Sequence, residues 1–214
     1  MAKYPEPPGI DYLKSLSPDV HSLLADTIVT RIYFAGGEHP TSWNAFRYFG
    51  PTASRFDHHL YDPHGKAYIQ ERGMMYLTTG NQAIPTTLAE VFQVTRAIDR
   101  YSKNPILTGF KLQQTINLLD LSSTFVTTLG ASTAIHSGQR PRARRWAQQL
   151  YLAYAELDGI YYCSSMFGNE PAIALFERAQ KALPKRPLFH RELRDPALAT
   201  ILTETAEKIR YLLV

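Results

Sequence analysis

Three polar side chains stand in apolar or helix-forming surroundings where each has a chemical use. Arg31 is at the centre of Ile28 to Phe34, IVTRIYF. A guanidinium among such neighbours needs a negative partner, either a structural carboxylate or an anionic ligand. Taken alone, an arginine in such a strand also fits a sheet edge or a solvated face. Glu90 closes Thr87-Leu-Ala-Glu90, which matches the capping box S/T-x-x-E, so its carboxylate has a structural use at a helix start. Ser164 and Ser165 end the apolar run Ile160 to Cys163, where turn residues are expected, and Tyr76 reads as a core aromatic on a short strand.

Other chemistries find less support. Asp57-His58-His59 with Asp62 and His64 gathers metal-binding residue types. Adjacent histidines on a strand point to opposite faces, and the spacing matches no ligand pattern, so the expectation is a solvated loop without metal. A G-x-S-x-G elbow is absent, as are a phosphate-binding loop and a G-x-G-x-x-G turn, and Cys163 has no partner histidine at a recognisable spacing. The basic run Arg140, Arg142, Arg144 and Arg145 is interrupted by Pro141 and opens a helix. It reads as a solvated helix start, with phosphate or an acidic partner as the alternative.

The elements that must carry these residues follow from composition and periodicity. Hydrophobic residues at 44% and charged residues at 20% of 214 fit one globular domain with a real core. Thirteen tyrosines, 10 phenylalanines and 14 prolines fit a loop-rich α+β chain. A net charge of +4 and a pI near 9.1 favour anionic small molecules or acidic protein surfaces, with no direct nucleic-acid role expected. One cysteine excludes an internal disulfide and fits a reducing compartment. With neither a signal-peptide core nor an 18-residue apolar run, a cytoplasmic location away from the membrane is expected.

Period-two alternation predicts a strand over 28–34, with Val29, Arg31 and Tyr33 on one face and Ile28, Thr30, Ile32 and Phe34 on the other. Further strands are expected at 73–77, within 110–121, at 160–164 and at 172–177. Helical spacing predicts a short helix within 11–25 broken at Pro18, helices at 85–101 and 141–158, a helical turn in 122–129, and a last helix from Pro196 to Leu213. Residues 35–66 read as a long aromatic-rich connection, packed and functional.

Taken in order, these parts resemble the RES family, bacterial toxins of toxin–antitoxin systems that degrade NAD on an ADP-ribosyltransferase-like fold. The matching stretches are TRIYF, GPTASRFD, MMYLTTGNQAIPTTLAEVF, LLDL, RRWAQQLYLAYAELDGIYYCSS and AIALFE, roughly residues 28 to 178. The resemblance implies an α+β fold with small β-sheets flanked by helices. It also implies a lead-in over 1–27, a catalytic domain over 28–185 and a C-terminal helical extension over 186–214, where the likeness gives out. The segment between Arg31 and Tyr76 is long compared with compact members.

The resemblance further implies NAD as substrate and no metal. Arg31, Tyr33, Arg55 and Tyr76 would contact the dinucleotide, while Arg31, Glu90 and Ser164 would act in catalysis. Cleavage of the nicotinamide–ribose bond develops positive charge on the ribose, as in glycoside cleavage. Arg31 would fork onto the diphosphate, and Glu90, in the first helical turn, would face the developing cation. Ser164, favoured over Ser165 by the phase of Tyr162-Cys163-Ser164, would orient Arg31 or the ribose. Leu88 stands two residues before Glu90, where the E-x-E pair of arginine-specific ADP-ribosyltransferases has its first glutamate. Phosphate or water is therefore the expected acceptor, with protein ADP-ribosylation as the alternative and a non-catalytic basic docking module as the alternative of another class. A small helix-turn-helix antitoxin is the implied partner, and the apolar face of the last helix packs on the core or forms a homodimer. The whole expectation requires Arg31 and Glu90 to meet in one cavity large enough for a dinucleotide.

Overall fold

The computed structural model describes residues 4–214. Its strands are β1 (Val20–Leu23), β2 (Ile28–Phe34), β3 (Arg47–Gly50), β4 (Tyr68–Thr79), β5 (Ala97–Ile98), β6 (Pro105–Lys111), β7 (Ile116–Asp120), β8 (Gly159–Cys163), β9 (Pro171–Phe176), β10 (Phe189–Glu192) and β11 (Leu212–Leu213). Its helices are α1 (Ile10–Lys14), α2 (Ala83–Val91), α3 (Phe125–Thr128), α4 (Arg140–Ala153) and α5 (Ala199–Ile209). The class is α+β. The strands do not divide into small separate sheets: one nine-stranded sheet runs β1-β7-β8-β9-β4-β2-β6-β10, with β3 on the free length of β4. Only β7 and β8 pair in parallel within it, and β11 pairs with β5 in a separate two-stranded sheet.

Register decides which side chains share a face. Thr30 lies opposite Thr78, Tyr76 opposite Ala174, and Ala172 opposite Tyr162. Since side chains alternate along a strand, Tyr76, Thr78, Tyr162, Thr30 and Ile32 all point to one face. The other face takes Val29, Arg31, Met75, Leu77 and Ile173. On the first face two cores lie side by side. One gathers Met74, Phe56, Ala174 and Tyr162 under Trp146 of α4, and the other gathers Ile32 and Leu107 under Leu88 of α2 and Leu202 of α5. The second face buries Val29, Phe110, Leu77 and Ile173 beneath Phe46 and the 179–183 segment.

Several elements differ from expectation, each for a physical reason. The helix expected within 11–25 ends at Lys14, and Val20–Leu23 instead form an edge strand on β7. The helix expected from Pro85 starts at Ala83, which puts Pro85 in the first turn, where a missing N–H costs little. It stops at Val91, and Arg96 then takes a left-handed φ of 50° that leads the chain into β5. Inside the long 35–66 connection, β3 pairs with β4. The 186–214 segment is more than a helix packed on the domain: β10 extends the main sheet on β6, and Leu193, Leu198, Leu202, Ala206 and Tyr211 make up half of the buried residues of one core. Nor is the 1–27 segment a bare lead-in. Arg142 and Arg145 hold Glu6, Trp146 Nε1 donates to the Pro5 carbonyl at 2.9 Å, and Tyr154 donates to Leu13 at 2.8 Å. No described helix is long and apolar enough to cross a membrane.

Candidate functional site

Where the two cores of the first face meet, the sheet carries polar side chains. Tyr76 on β4 and Tyr162 on β8 stand two strands apart, with β9 between them. Glu90 reaches this seam from the last turn of α2. Its position there overturns the capping box: Gln82 is the N-cap, and Thr87 lies inside the helix with its hydroxyl on Thr78 at 2.5 Å. The carboxylate is thus free of its own helix start. It also lies at the negative end of the helix dipole rather than the positive end that the first-turn reading assumed.

Glu90 Oε1 accepts the Ser164 hydroxyl at 2.5 Å, and Oε2 accepts Gln93 Nε2 at 3.2 Å. Ser164 is fully buried where β8 gives way to a turn. Its Oγ accepts the backbone N–H groups of Met166 at 3.2 Å and Phe167 at 3.1 Å, and its own N–H donates to Glu170. A serine that satisfies two N–H groups of a following turn is locked in orientation, leaving its proton for the carboxylate. Ser164 thus holds Glu90, not Arg31, and Ser165 is exposed.

Arg55 enters from the connection before β4. It donates to the carbonyls of Ile135 at 3.2 Å and Gly138 at 2.8 Å. Burial lowers its pKa, partly countered by Tyr4, Tyr162 and Glu90, which lie within electrostatic reach. The Tyr162 phenol is pushed well above its ordinary value, first by burial and then by the charge of Glu90, with Arg55 opposing. Burial, and then the charge of Asp57, likewise raises the Tyr76 phenol, with Arg47 opposing. Arg140, at the start of α4, donates to Gln93 Oε1.

Arg31 and Tyr33 are not in this site. The strand was read correctly, but its odd-numbered residues face away from α2. There the Arg31 guanidinium donates to the carbonyls of Trp43 at 3.3 Å and Ala45 at 3.2 Å, and its pKa is lowered by burial. Its Nε is buried with no hydrogen bond among the described residues. Tyr33 pairs with His190 through its hydroxyl. The expectation that Arg31 and Glu90 converge fails, because an odd residue of β2 and a helix packed over its even residues occupy opposite faces. Arg55 is the arginine that shares the seam with Glu90.

The histidine cluster is divided: His64 is exposed in a loop, as expected, but the first three residues of the cluster are not solvated. Asp57, His58 and His59 are completely buried. Asp57 accepts from Arg47, Thr52 and His59, and these contacts outweigh its burial and hold its pKa below the usual carboxylate range. Among the described residues, no three His, Cys, Asp or Glu side chains converge on a metal position. The basic run is divided: Arg142 and Arg145 clamp Glu6, while Arg140 donates to Gln93.

Two clefts open beside α2. One of about 760 Å³ follows the starts of α2 and β2, from Asp26 to Lys208, and the other, of about 610 Å³, borders Ser165, Met166, Phe167 and Tyr211. Glu90 and Arg31 line neither, and the second lies just outside the turn that holds Ser164. Sequence reasoning missed Gln93 and Tyr162 as neighbours of this carboxylate, Arg140 as the partner of Gln93, and Tyr4 as a neighbour of Arg55. Gln93 was detectable as the residue one helical turn after Glu90, and Tyr162 as the tyrosine two before Ser164. Nothing in the proline-rich start marked Tyr4.

No family model matches the chain, and no curated protein matches it significantly. Among solved structures, the chain is similar to one from the crystal structure of the M. tuberculosis MbcT–MbcA toxin-antitoxin complex. The TM-score is 0.56 at 13% identity, and the likeness covers 91% of this chain and 96% of that one. The likeness is one of fold: the chain shares its overall architecture with a component of a toxin–antitoxin complex.

Proposed function

We propose that this protein is a toxin-like enzyme that cleaves the nicotinamide–ribose bond of NAD, with phosphate or water as acceptor. The observation that carries the reading is the Ser164–Glu90 hydrogen bond, which fixes a carboxylate within electrostatic reach of Arg55 and the buried Tyr162. A carboxylate has about four lone-pair sites, and Ser164 and Gln93 occupy two of them. The remaining sites can accept ribose hydroxyls and set negative charge against the oxocarbenium-like transition state. Buried aromatic walls strengthen that interaction by lowering the local dielectric.

In this reading the task of holding the diphosphate passes from Arg31 to Arg55. Leu88, in the E-x-E position, is fully buried against α5, so that position offers no second carboxylate to activate a protein acceptor. A small-molecule acceptor is therefore favoured over protein ADP-ribosylation. The docking-module alternative loses two of its cations, since Arg142 and Arg145 already bind Glu6. The similar fold in a toxin–antitoxin complex supports a further part of the proposal, a small protein that neutralises the enzyme in the cytoplasm.

The test is product analysis after incubating the purified protein with NAD, with and without inorganic phosphate. Nicotinamide should appear together with ADP-ribose in phosphate-free buffer, or with its phosphate ester when phosphate is present. Absence of nicotinamide in both overturns the proposal.

A further inference from the structure

Glu90 has a second support that the proposed chemistry does not by itself require. Gln93 lies just beyond the end of α2, and its Nε2 donates both to the Glu90 backbone carbonyl at 2.6 Å and to Glu90 Oε2 at 3.2 Å. One amide nitrogen thus closes an open carbonyl of the last helical turn and grips the carboxylate of the same residue. An amide side chain has two ends of opposite character. Here the oxygen end receives Arg140, from the start of α4. The flipped amide would set oxygen against carboxylate and nitrogen against guanidinium, so Arg140 selects the orientation that serves Glu90.

We infer that Gln93, oriented by Arg140, is a positioning residue for the Glu90 carboxylate. The inference rests on the proposed role of Glu90 at the ribose. The other groups that act on Glu90 come from different elements: Arg55 from the connection before β4, Tyr162 from β8 and Tyr211 from the segment after α5. None of these bonds to its second oxygen. Ser164 holds only Oε1, and a carboxylate fixed at one oxygen still swings about that contact. With both oxygens held, the free lone pairs keep one direction.

Two substitutions separate positioning from a mere link between α2 and α4. Gln93→Met keeps the volume and removes both bonds. Gln93→Glu keeps and strengthens the contact to Arg140, but its ionised carboxylate has no hydrogen to donate to Glu90. Nicotinamide release should lose about tenfold in kcat in both variants, with KM within about twofold, the size expected for one hydrogen bond to a charged group. Arg140→Leu should cost a similar factor alone and nothing more when added to Gln93→Met, because both act through one contact. Full activity in Gln93→Glu, or effects of Gln93→Met and Arg140→Leu that simply multiply, would overturn the inference while leaving the proposed function intact. A wild-type protein that releases no nicotinamide would overturn both.

Discussion

Ser164 and Glu90, 74 positions apart in sequence, meet at 2.5 Å across the seam between two hydrophobic cores. Among the described residues the serine has no other side-chain partner, and the turn behind it depends on its oxygen. Ser164→Ala should therefore act twice. It leaves two buried N–H groups without an acceptor and frees one oxygen of Glu90, at a cost of about 1–3 kcal/mol in stability. Turnover should fall by about tenfold or more, the equivalent of one charged hydrogen bond. Urea unfolding and nicotinamide release, measured on the same variant, report the two effects separately.

The faces of β2 make a prediction about two arginines. Arg31→Met removes the donor to the Trp43 and Ala45 carbonyls, so stability should drop by about 1–3 kcal/mol with KM for NAD unchanged. Arg55→Met should raise that KM by about tenfold or more, through loss of a charged contact to the diphosphate. A reversed pattern, with Arg31 controlling KM, would move the site to the other face of the sheet.

Buried histidines predict how stability follows pH. His58, stacked on Tyr151 at 4.2 Å, and His136 are both held neutral, their pKa values lowered first by burial. The unfolded chain protonates histidine near pH 6.5 while the folded chain does not, so below that pH the unfolded state binds more protons and stability falls. The loss should approach about 1.4 kcal/mol per pH unit for His58, with His136 acting in the same direction. Asp57 works in the same direction at lower pH: its depressed pKa stabilises the fold above the ordinary carboxylate range, and that share is lost under about pH 4. Urea midpoints at about pH 7.5 and 5.5 should converge in His58→Gln relative to wild type.

The C-terminal residues carry a prediction of their own. Leu202 of α5 is 1% exposed and packs with Leu88 and Ile32 beside the Glu90 helix. Leu202→Ala should cost about 2–5 kcal/mol, the range for a buried leucine cut back to alanine. Leu212→Ala, at an exposed position, should cost less than about 0.5 kcal/mol. Equal effects in thermal unfolding would contradict the placement of 186–214 within the domain.

Much of this arrangement was legible in the residues themselves. The period-two run at 28–34 and the apolar runs at 160–164 and 172–177 became strands within a residue or two of the expected bounds, and α4 began within a residue of its expected start, although it ends at Ala153. Strand phase also sorted Val29, Arg31 and Tyr33 from Thr30 and Ile32 correctly. What phase alone does not contain is which face α2 covers, and that choice decided whether Arg31 or Arg55 would join Glu90. The capping-box reading failed for a related reason. The local pattern matches a helix start, whereas Gly80, with a left-handed φ of 87°, lets the chain turn earlier and carries Glu90 to the far end. Asp57 stands beside His58 and His59 in sequence, but Arg47 and Tyr151, which complete the surroundings that make their burial tolerable, come from other parts of the chain.

The most direct measurement is nicotinamide release from NAD by wild-type protein and by Glu90→Gln, which keeps the size of the side chain and removes its charge. The account predicts turnover by the wild type and a loss of about a hundredfold or more in the variant, since the negative charge facing the ribose is gone. Equal release by the two proteins would contradict it.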